Sequence, residues 1–326
     1  MRKPKPFPPS PVPRSPFPIP RSLFPIFLLL LFTSCATAPR APAPVAEEIP
    51  PELSILPAGG SLYLWADTVQ SRPLLDILSF DGFSGRDAAM MLDRTGTAAA
   101  AVFPEGHDRR FFLAATGRYP RHRANFSFAF SRGWRRQRGA GGQTFWYSRN
   151  SNLAISLGPN LSLVSNTDPF DVFERETPPQ TFAEFRQGKA LAGWLVNPSE
   201  PINGFLETMG LPIQIPAEDF FFGAVRSPRN DSAAPWELVF RIRAPSPAEA
   251  GSLIALFTFA RFLVLQMAGE AEPLSADMDS LSLQQAAMLL FANAPEQDGA
   301  FLGFRINALE ESTIALLFNL FSVYSN

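Results

Sequence analysis

The sequence predicts an α+β fold of two related modules, with mainly antiparallel sheets and packed helices, after a disordered proline-rich N-terminus. Sixteen of the 33 prolines fall in residues 1–57, and proline-rich sequence resists packing. From residue 61 onward, short apolar runs alternate with turn residues, which is typical of strands in antiparallel sheets. A pattern of strand, turn, strand and helix also recurs along the chain, which favours a duplicated fold.

The first module, residues 53–177, contains the clearest strand and helix candidates. Pro73 occupies a first-turn position, where its fixed φ favours the start of a helix. Gly158 and Pro159 mark a tight turn between two apolar runs. The predicted strands are 61–66, 97–103, 111–116, 143–148, 153–157 and 161–165, and the predicted helices are 72–80, 85–92 and 120–131.

The second module, residues 178–326, repeats features of the first. Trp65 lies in a strand candidate followed by a helix that opens at Pro73, and Trp194 lies in one followed by a helix that opens at Pro201. Such recurrence predicts two copies of one supersecondary unit, although chance similarity between amphipathic segments is an alternative. The recurring strand–turn–strand–helix units are 98–131, 220–267 and 288–323, the last with its turn over 295–299.

The N-terminus has the layout of a secretory signal. Five basic residues and no acid precede an apolar run over 23–32, and small residues then lead to Cys35, the one cysteine of the chain. About ten apolar residues are too few to span a bilayer, which takes about 20. A basic start, a short apolar run and a small-residue exit together predict export.

The stretch Phe32-Thr33-Ser34-Cys35 resembles a bacterial lipobox of the spirochaete type. The resemblance implies that residues 1–34 are a lipoprotein signal peptide cleaved before Cys35. It also implies a diacylglyceryl group on the Cys35 thiol and a further acyl chain, such as palmitate, on the new amine. A single acyl chain binds membranes only marginally, so several chains on one residue would give a lasting anchor. An ordinary cleaved signal and an uncleaved anchor are the alternatives.

The linker, residues 35–52, is rich in proline and alanine. Such sequence favours extended polyproline II, so we expect a semi-rigid spacer between the membrane and the folded body. The predicted location is therefore the cell envelope, on its periplasmic or outer-surface face. The predicted partners are the membrane, through the Cys35 anchor, and other envelope components.

Charge is distributed unevenly along the chain. Lys and Arg number 28 and Asp and Glu 30, yet residues 109–149 contain ten arginines and no acid. In an exported protein we expect no nucleic acid, so anionic lipid headgroups or another polyanion are the favoured partners of this region. The alternative is a solvated basic face that pairs with the acidic remainder of the chain. The predicted anionic-surface residues are Arg121, Arg123, Arg132, Arg135, Arg136 and Arg138.

The segment 248–267 predicts the most apolar helix of the body. A helix that is apolar nearly all round is buried or contacts lipid, and Arg261 near its middle disfavours a membrane span. A core helix is one interpretation. The other is that it lines an apolar pocket, for which the predicted residues are Phe257, Phe262, Phe291 and Phe301.

The sequence contains few residues that carry catalytic or metal chemistry. One Cys and two His leave no zinc pattern, and no phosphate loop or dinucleotide fingerprint is present. The segment 82–85 has the Gly-x-Ser half of a nucleophile elbow, but Arg86 replaces the expected glycine. We therefore predict no enzyme, no cofactor and no metal.

The start of the body, Leu56-Pro57-Ala58-Gly59-Gly60-Ser61-Leu62-Tyr63, resembles uncharacterised bacterial envelope proteins with repeated α+β modules. The resemblance implies no catalytic residues. The leading hypothesis is a lipid-anchored envelope protein that acts as a non-enzymatic binding or structural module. The alternatives are a carrier of an apolar or lipid ligand in a phenylalanine-rich cavity, and an unrecognised hydrolase.

Overall fold

The centre of the fold is one twelve-stranded antiparallel sheet. We analyse a computed structural model, which describes residues 49–77, 93–103, 110–139, 141–170, 180–199, 203, 214–227, 235–267, 288–289 and 292–314. The strands are β1 (Leu62–Asp67), β2 (Thr95–Phe103), β3 (Arg110–Gly117), β4 (Trp134–Arg138), β5 (Thr144–Ser148), β6 (Leu153–Leu157), β7 (Leu161–Ser165), β8 (Leu191–Val196), β9 (Asp219–Arg226), β10 (Trp236–Arg243), β11 (Glu296–Asp298) and β12 (Phe301–Leu309). Their order in the sheet is β11-β12-β10-β9-β8-β1-β2-β3-β7-β6-β5-β4.

Helices pack on both faces of this sheet. Face 1 carries Trp65 and Trp194 and is covered by two short helices whose leucine and phenylalanine side chains pack against them. Face 2 carries Trp236 and receives the other three helices. The helices are α1 (Pro51–Ser54) and α4 (Gln180–Phe185) on face 1, and α2 (Arg72–Ile77), α3 (Arg121–Phe130) and α5 (Pro247–Met267) on face 2. The predicted α+β class with antiparallel strands is confirmed.

The twelve strands form two contiguous halves of this one sheet. Strands β1–β7 come from residues 53–177 and β8–β12 from residues 178–326. The halves join where β1 pairs with β8, with Tyr63 opposite Trp194. Both are apolar strands, and their pairing leaves neither with an open edge. The exact boundary near residue 178 stays a prediction, because residues 171–179 lie outside the described residues.

The halves repeat one topology. Gly59 and Gly188 each lie three residues before a strand of six residues and have φ of 79° and 68°, a conformation that favours glycine. Trp65 and Trp194 are each the fourth residue of that strand. In each half a helix follows the third strand, and the last strand returns to pair with that third strand, β7 with β3 and β12 with β10. The first half adds the strands β4 and β5.

Several strands differ from expectation. The unit predicted over 288–323 is wrong in its first part, because Met288 and Leu289 are helical and β11 occupies most of the predicted turn at 295–299. Strand β4 was not predicted, since its sequence Trp-Arg-Arg-Gln-Arg lacks an apolar alternation. Edge strands commonly carry charged side chains, because these discourage pairing with another chain. The helix predicted over 85–92 lies outside the described residues.

Candidate functional site

The candidate site is the arginine edge, which we define as residues 121–138: helix α3, the following turn and strand β4. Strand β4 is the last strand of the sheet and pairs only with β5. Helix α3 begins after Pro120 and lies on face 2 beside this edge. None of its side chains is buried. The edge is therefore an outer surface of the fold and contributes little to its core.

Helix α3 is attached to the sheet by a small set of contacts. The Phe128 ring centroid lies 4.6 Å from that of Trp134 and 5.8 Å from that of Trp146. The Trp146 indole Nε1 donates a hydrogen bond of 2.8 Å to Oδ1 of Asn125. The Arg121 Nε donates another, of 3.0 Å, to the carbonyl of Leu157. These contacts fix which side of the helix faces outward.

Two phenylalanines lie on that outward side. Phe126 is 66% exposed and Phe130 is 74% exposed, and their ring centroids are 4.4 Å apart. They are four residues apart, so the helix places them on one side. Exposed large apolar side chains that cluster in this way mark an interaction surface.

The six arginines predicted to bind an anionic surface lie in the same segment of the chain as this phenylalanine pair. All six are exposed. Side chains alternate along β4, so Arg136 and Arg138 lie on the same face as Trp134 and Arg135 lies on the other. The edge therefore presents positive charge on both of its sides. The structure brings together Arg121, Arg123, Arg132, Arg135, Arg136 and Arg138 within α3, β4 and the turn between them.

None of these six arginines forms an ion pair with any residue that the structure describes. Arginines elsewhere do: Arg72 pairs with Asp76 and Asp93, and Arg243 pairs with Asp219. The alternative interpretation, a basic face paired with the acidic remainder, therefore finds no such pair in the described part of the chain.

Among the described residues, Phe257, Phe262 and Phe301 of the predicted phenylalanine pocket do not come together. Phe257 on α5 packs against Phe304 on face 2, with ring centroids 5.8 Å apart. Phe301 lies three residues from Phe304 on β12, and therefore on face 1, where Arg241 stacks 4.0 Å from its ring. Phe262 is 56% exposed, and Phe291 lies outside the described residues.

Helix α5 is anchored at its N-terminal end and more exposed beyond it. Ala250 and Leu253 are buried against Ile242 and Leu302, whereas Phe259 and Phe262 are exposed. Among the side chains of α5 that the structure describes, the buried ones therefore lie in its first two turns. Within the described ranges, no helix combines the length and apolarity that a membrane crossing requires.

A cavity on face 1 was not predicted. It has a volume of about 500 Å³, is open to solvent on one side, and lies between the start of the described chain, β1–β3 and the end of α4. Glu52 and Arg186, both buried, line it together with Trp65. No sequence motif singles out these residues, because they come from three separate segments.

Other predicted functional residues are not described. Cys35 and the half-elbow at 82–85 lie outside the described residues. His122 is exposed on α3. Over the described residues, no three His, Cys, Asp or Glu side chains come together as metal ligands would.

The fold and edge define a class: an α+β protein with one long antiparallel sheet, helices on both faces and a basic, aromatic outer edge. The sequence matches no protein-family model and no curated protein. Solved structures share the fold. They are crystal forms of TP0453, an envelope protein of the spirochaete Treponema.

The three likenesses agree closely with one another. Crystal form IV matches with a TM-score of 0.52 and 16% identity over 84% of this chain and 96% of that one. Crystal form III matches with a TM-score of 0.52 and 15% identity, covering 82% of this chain and 98% of that one. Crystal form I matches with a TM-score of 0.51 and 16% identity, covering 85% of this chain and 99% of that one. At such identity the likeness shows the fold.

Proposed function

We propose that this chain is a lipid-anchored, non-enzymatic envelope protein that binds an anionic lipid surface through its arginine edge. The observation that carries the proposal is the edge itself: residues 121–138 contain six exposed arginines, without ion pairs to described residues, together with the exposed pair Phe126 and Phe130. The fold shared with an envelope protein of a spirochaete is compatible with this location.

The energetics of the edge favour a lipid surface. A basic side chain close to an anionic membrane contributes about 1 kcal/mol, so several arginines on one edge would act together. Phenylalanines on a surface helix insert shallowly at the boundary between headgroups and acyl chains. Phe126 and Phe130 would insert there while the neighbouring arginines remain among the headgroups.

The predicted anchor and linker strengthen this binding. An acylated Cys35 would hold the body close to the bilayer, and the part of the linker that precedes residue 49 would set its reach, because Pro51 and Glu52 belong to helix α1. Tethering converts the second contact into an intramolecular one with a high effective concentration. A modest intrinsic affinity of the arginine edge is then sufficient to orient the body on the membrane.

The test is vesicle co-sedimentation of the mature chain, residues 35–326, with Cys35→Ser to keep it free of lipid. We expect binding to vesicles that contain phosphatidylglycerol and little binding to phosphatidylcholine alone, with a steep loss at high salt because exposed charges are screened. The variant Arg136→Glu with Arg138→Glu should lower the partition coefficient by at least about tenfold, since two favourable charges of about 1 kcal/mol each are reversed.

A matched control has the same change in net charge at another place. Arg226 and Arg305 are exposed and lie in the second half of the sheet. Arg226→Glu with Arg305→Glu should leave the partition coefficient within about twofold of the parent, because these residues are far from the edge. Equal losses in the two double variants would show that net charge, and no particular surface, drives binding, which would refute the proposal.

A further inference from the structure

The two halves of the sheet place equivalent residues in comparable surroundings. Trp65 and Trp194 occupy the same position of β1 and β8, both on face 1. Each indole Nε1 donates to a carboxylate: Trp65 to Oε1 of Glu52 at 3.0 Å, and Trp194 to Oδ1 of Asp219 at 2.7 Å. Differences around these two tryptophans therefore show where the halves have diverged.

The surroundings of Trp194 are filled. Its cross-strand neighbour is Phe221, which is fully buried, with ring centroids 6.3 Å apart. The Tyr63 and Phe182 rings lie at 5.0 and 5.9 Å. Arg243 completes the site with an ion pair of 2.5 Å to Asp219.

The equivalent positions around Trp65 carry smaller side chains. The register places Ala99 opposite Trp65, where the second half has Phe221 opposite Trp194. Two residues before Ala99 on the same face, Thr97 lies opposite Thr116, where the second half has Asp219 opposite Arg243. The two threonine hydroxyls are 2.6 Å apart.

On face 2 the two halves also differ in side-chain size, but within each strand pair a large residue lies opposite a small one. There Gly193 lies opposite Phe222, whose ring fills the space that a Cβ on Gly193 would need, with atoms at 2.1 Å. In the first half the equivalent pair is Leu64 opposite Ala100. One large and one small residue are present in each pair, so the volume is conserved.

On face 1 a cavity of about 500 Å³ lies beside Trp65, Thr97 and Thr116. This volume is within the range of small-molecule sites. Its apolar wall consists of Pro50, Pro51, Leu161 and the Trp65 ring.

The polar groups of the cavity define the ligand that it suits. Thr97, Thr116 and Asn160 offer hydroxyl and amide groups along one side. Glu52 and Arg186 contribute one negative and one positive charge, and the Arg186 guanidinium lies 5.1 Å from the Trp65 ring centroid. Because these two charges offset one another, a ligand with a net charge gains little there.

We infer that the Trp65 cavity binds an uncharged small molecule with an apolar body and a hydrogen-bonding group. The apolar body lies against Trp65 and Leu161, and the polar group reaches the Thr97 and Thr116 hydroxyls. The site lies on face 1, whereas helix α3 of the arginine edge lies on face 2, so this inference stands independently of the membrane proposal.

The experiment uses 1-aminoanthracene, an uncharged apolar amine that fluoresces in sites shielded from water, with the mature chain carrying Cys35→Ser. The parent should bind it in a saturable manner. Thr97→Asp with Thr116→Arg introduces the residue pair that fills the second half, and should weaken binding at least tenfold. Gln137→Arg with Thr144→Asp introduces the same two side chains on the exposed β4–β5 hairpin and should leave binding unchanged.

Leu161→Trp provides a second way to fill the cavity if the charged pair prevents folding, which a cooperative unfolding transition would reveal. Loss of binding in either filled variant, with binding retained in the hairpin control, supports the site. A parent that does not bind the probe, because water alone occupies the cavity, would overturn the inference. So would undiminished binding in a folded, filled variant.

Discussion

The two halves of the sheet share a topology but differ in side-chain volume and charge. At equivalent central positions the first half has the run Ala98–Ala101 in β2 and the second half has Phe220–Phe222 in β9. The region 109–149 of the first half has ten arginines and no acid, whereas residues 178–326 have eight basic and sixteen acidic residues. The two halves therefore share one strand topology, while the second carries larger side chains in β9 and the first carries the cavity and the arginine edge.

This comparison indicates that buried contacts of large side chains are concentrated in the second half near the join. Phe221, Trp194, Phe182 and Phe185 form one group of stacked and tilted rings. Aromatic pairs of this kind add about 0.5–1.5 kcal/mol beyond their buried area. The first half has no matching group around Trp65 among the described residues.

The largest expected effect comes from making the second half resemble the first. Phe221→Ala leaves beside Trp194 the alanine that Ala99 provides beside Trp65, and it removes a fully buried ring. A Phe-to-Ala change in a core costs about 3–5 kcal/mol, and we expect that loss in the free energy of unfolding from urea denaturation. Phe126→Ala, at an exposed ring, is the control and should cost less than about 1 kcal/mol. If Phe221→Ala and Phe126→Ala lowered the free energy of unfolding equally, the buried ring of the second half would add no more stability than an exposed ring of the first.

A smaller effect concerns charge in the second half. Lys189 lies on face 1 over Gly223, where a Cβ would come within 2.5 Å of its Cδ, and its Nζ donates to the Phe185 carbonyl and lies 4.0 Å from the Phe185 ring centroid. Burial, and then the nearby Arg305 and Arg241, lower the pKa of Lys189 from 10.5 to about 8.

The sign of the resulting pH dependence follows from this shift. Between pH 8 and 10.5 the unfolded chain binds more protons at Lys189 than the folded chain does, so this group makes the folded state more stable as pH rises through that window. Below pH 8 Lys189 is charged in both states, so the full destabilisation caused by burying its charge is present. Lys189→Met keeps the apolar stem without the charge, so its melting temperature should exceed that of the parent at pH 7, and the difference should shrink towards pH 10.5. A difference that stays constant across this range would contradict the assigned cause.

Sequence patterns predicted most strands of the first half. Of the two candidate sites, they predicted the arginine edge but not the Trp65 cavity. Strands β1, β2 and β3 were predicted within two residues of their ends because apolar runs and turn residues mark them. The ten arginines of residues 109–149 pointed to the arginine edge, but β4 was not predicted because its sequence lacks the apolar alternation of a strand. The Trp65 cavity could not be predicted, since it depends on which residues the register places opposite each other, as Ala99 opposite Trp65. Phe257 and Phe301 were grouped as apolar residues, and the alternation along β12 places Phe301 on the opposite face from the Phe304 that Phe257 contacts.

The smallest effect on stability, and the sharpest test of how the halves divide their roles, concerns two helices. Helices α3 and α5 follow equivalent strands, lie on face 2 and each expose a phenylalanine pair: Phe126 with Phe130, and Phe259 with Phe262. The pair on α3 belongs to the arginine edge with its six exposed arginines, whereas the pair on α5 lies outside that edge. If apolar insertion requires that charge, the two pairs should differ in their contribution to membrane binding.

Phe126→Ser with Phe130→Ser should change the free energy of unfolding by less than about 1 kcal/mol, because both rings are exposed and Phe and Ser have similar helix propensities. It should nevertheless lower partitioning into phosphatidylglycerol vesicles several-fold, since the rings no longer enter the acyl boundary. Phe259→Ser with Phe262→Ser is the matched variant on α5 and should leave partitioning unchanged. Equal losses from both variants would mean that the whole of face 2 contacts the bilayer, whereas a loss from the α5 variant alone would move the membrane contact away from the arginine edge.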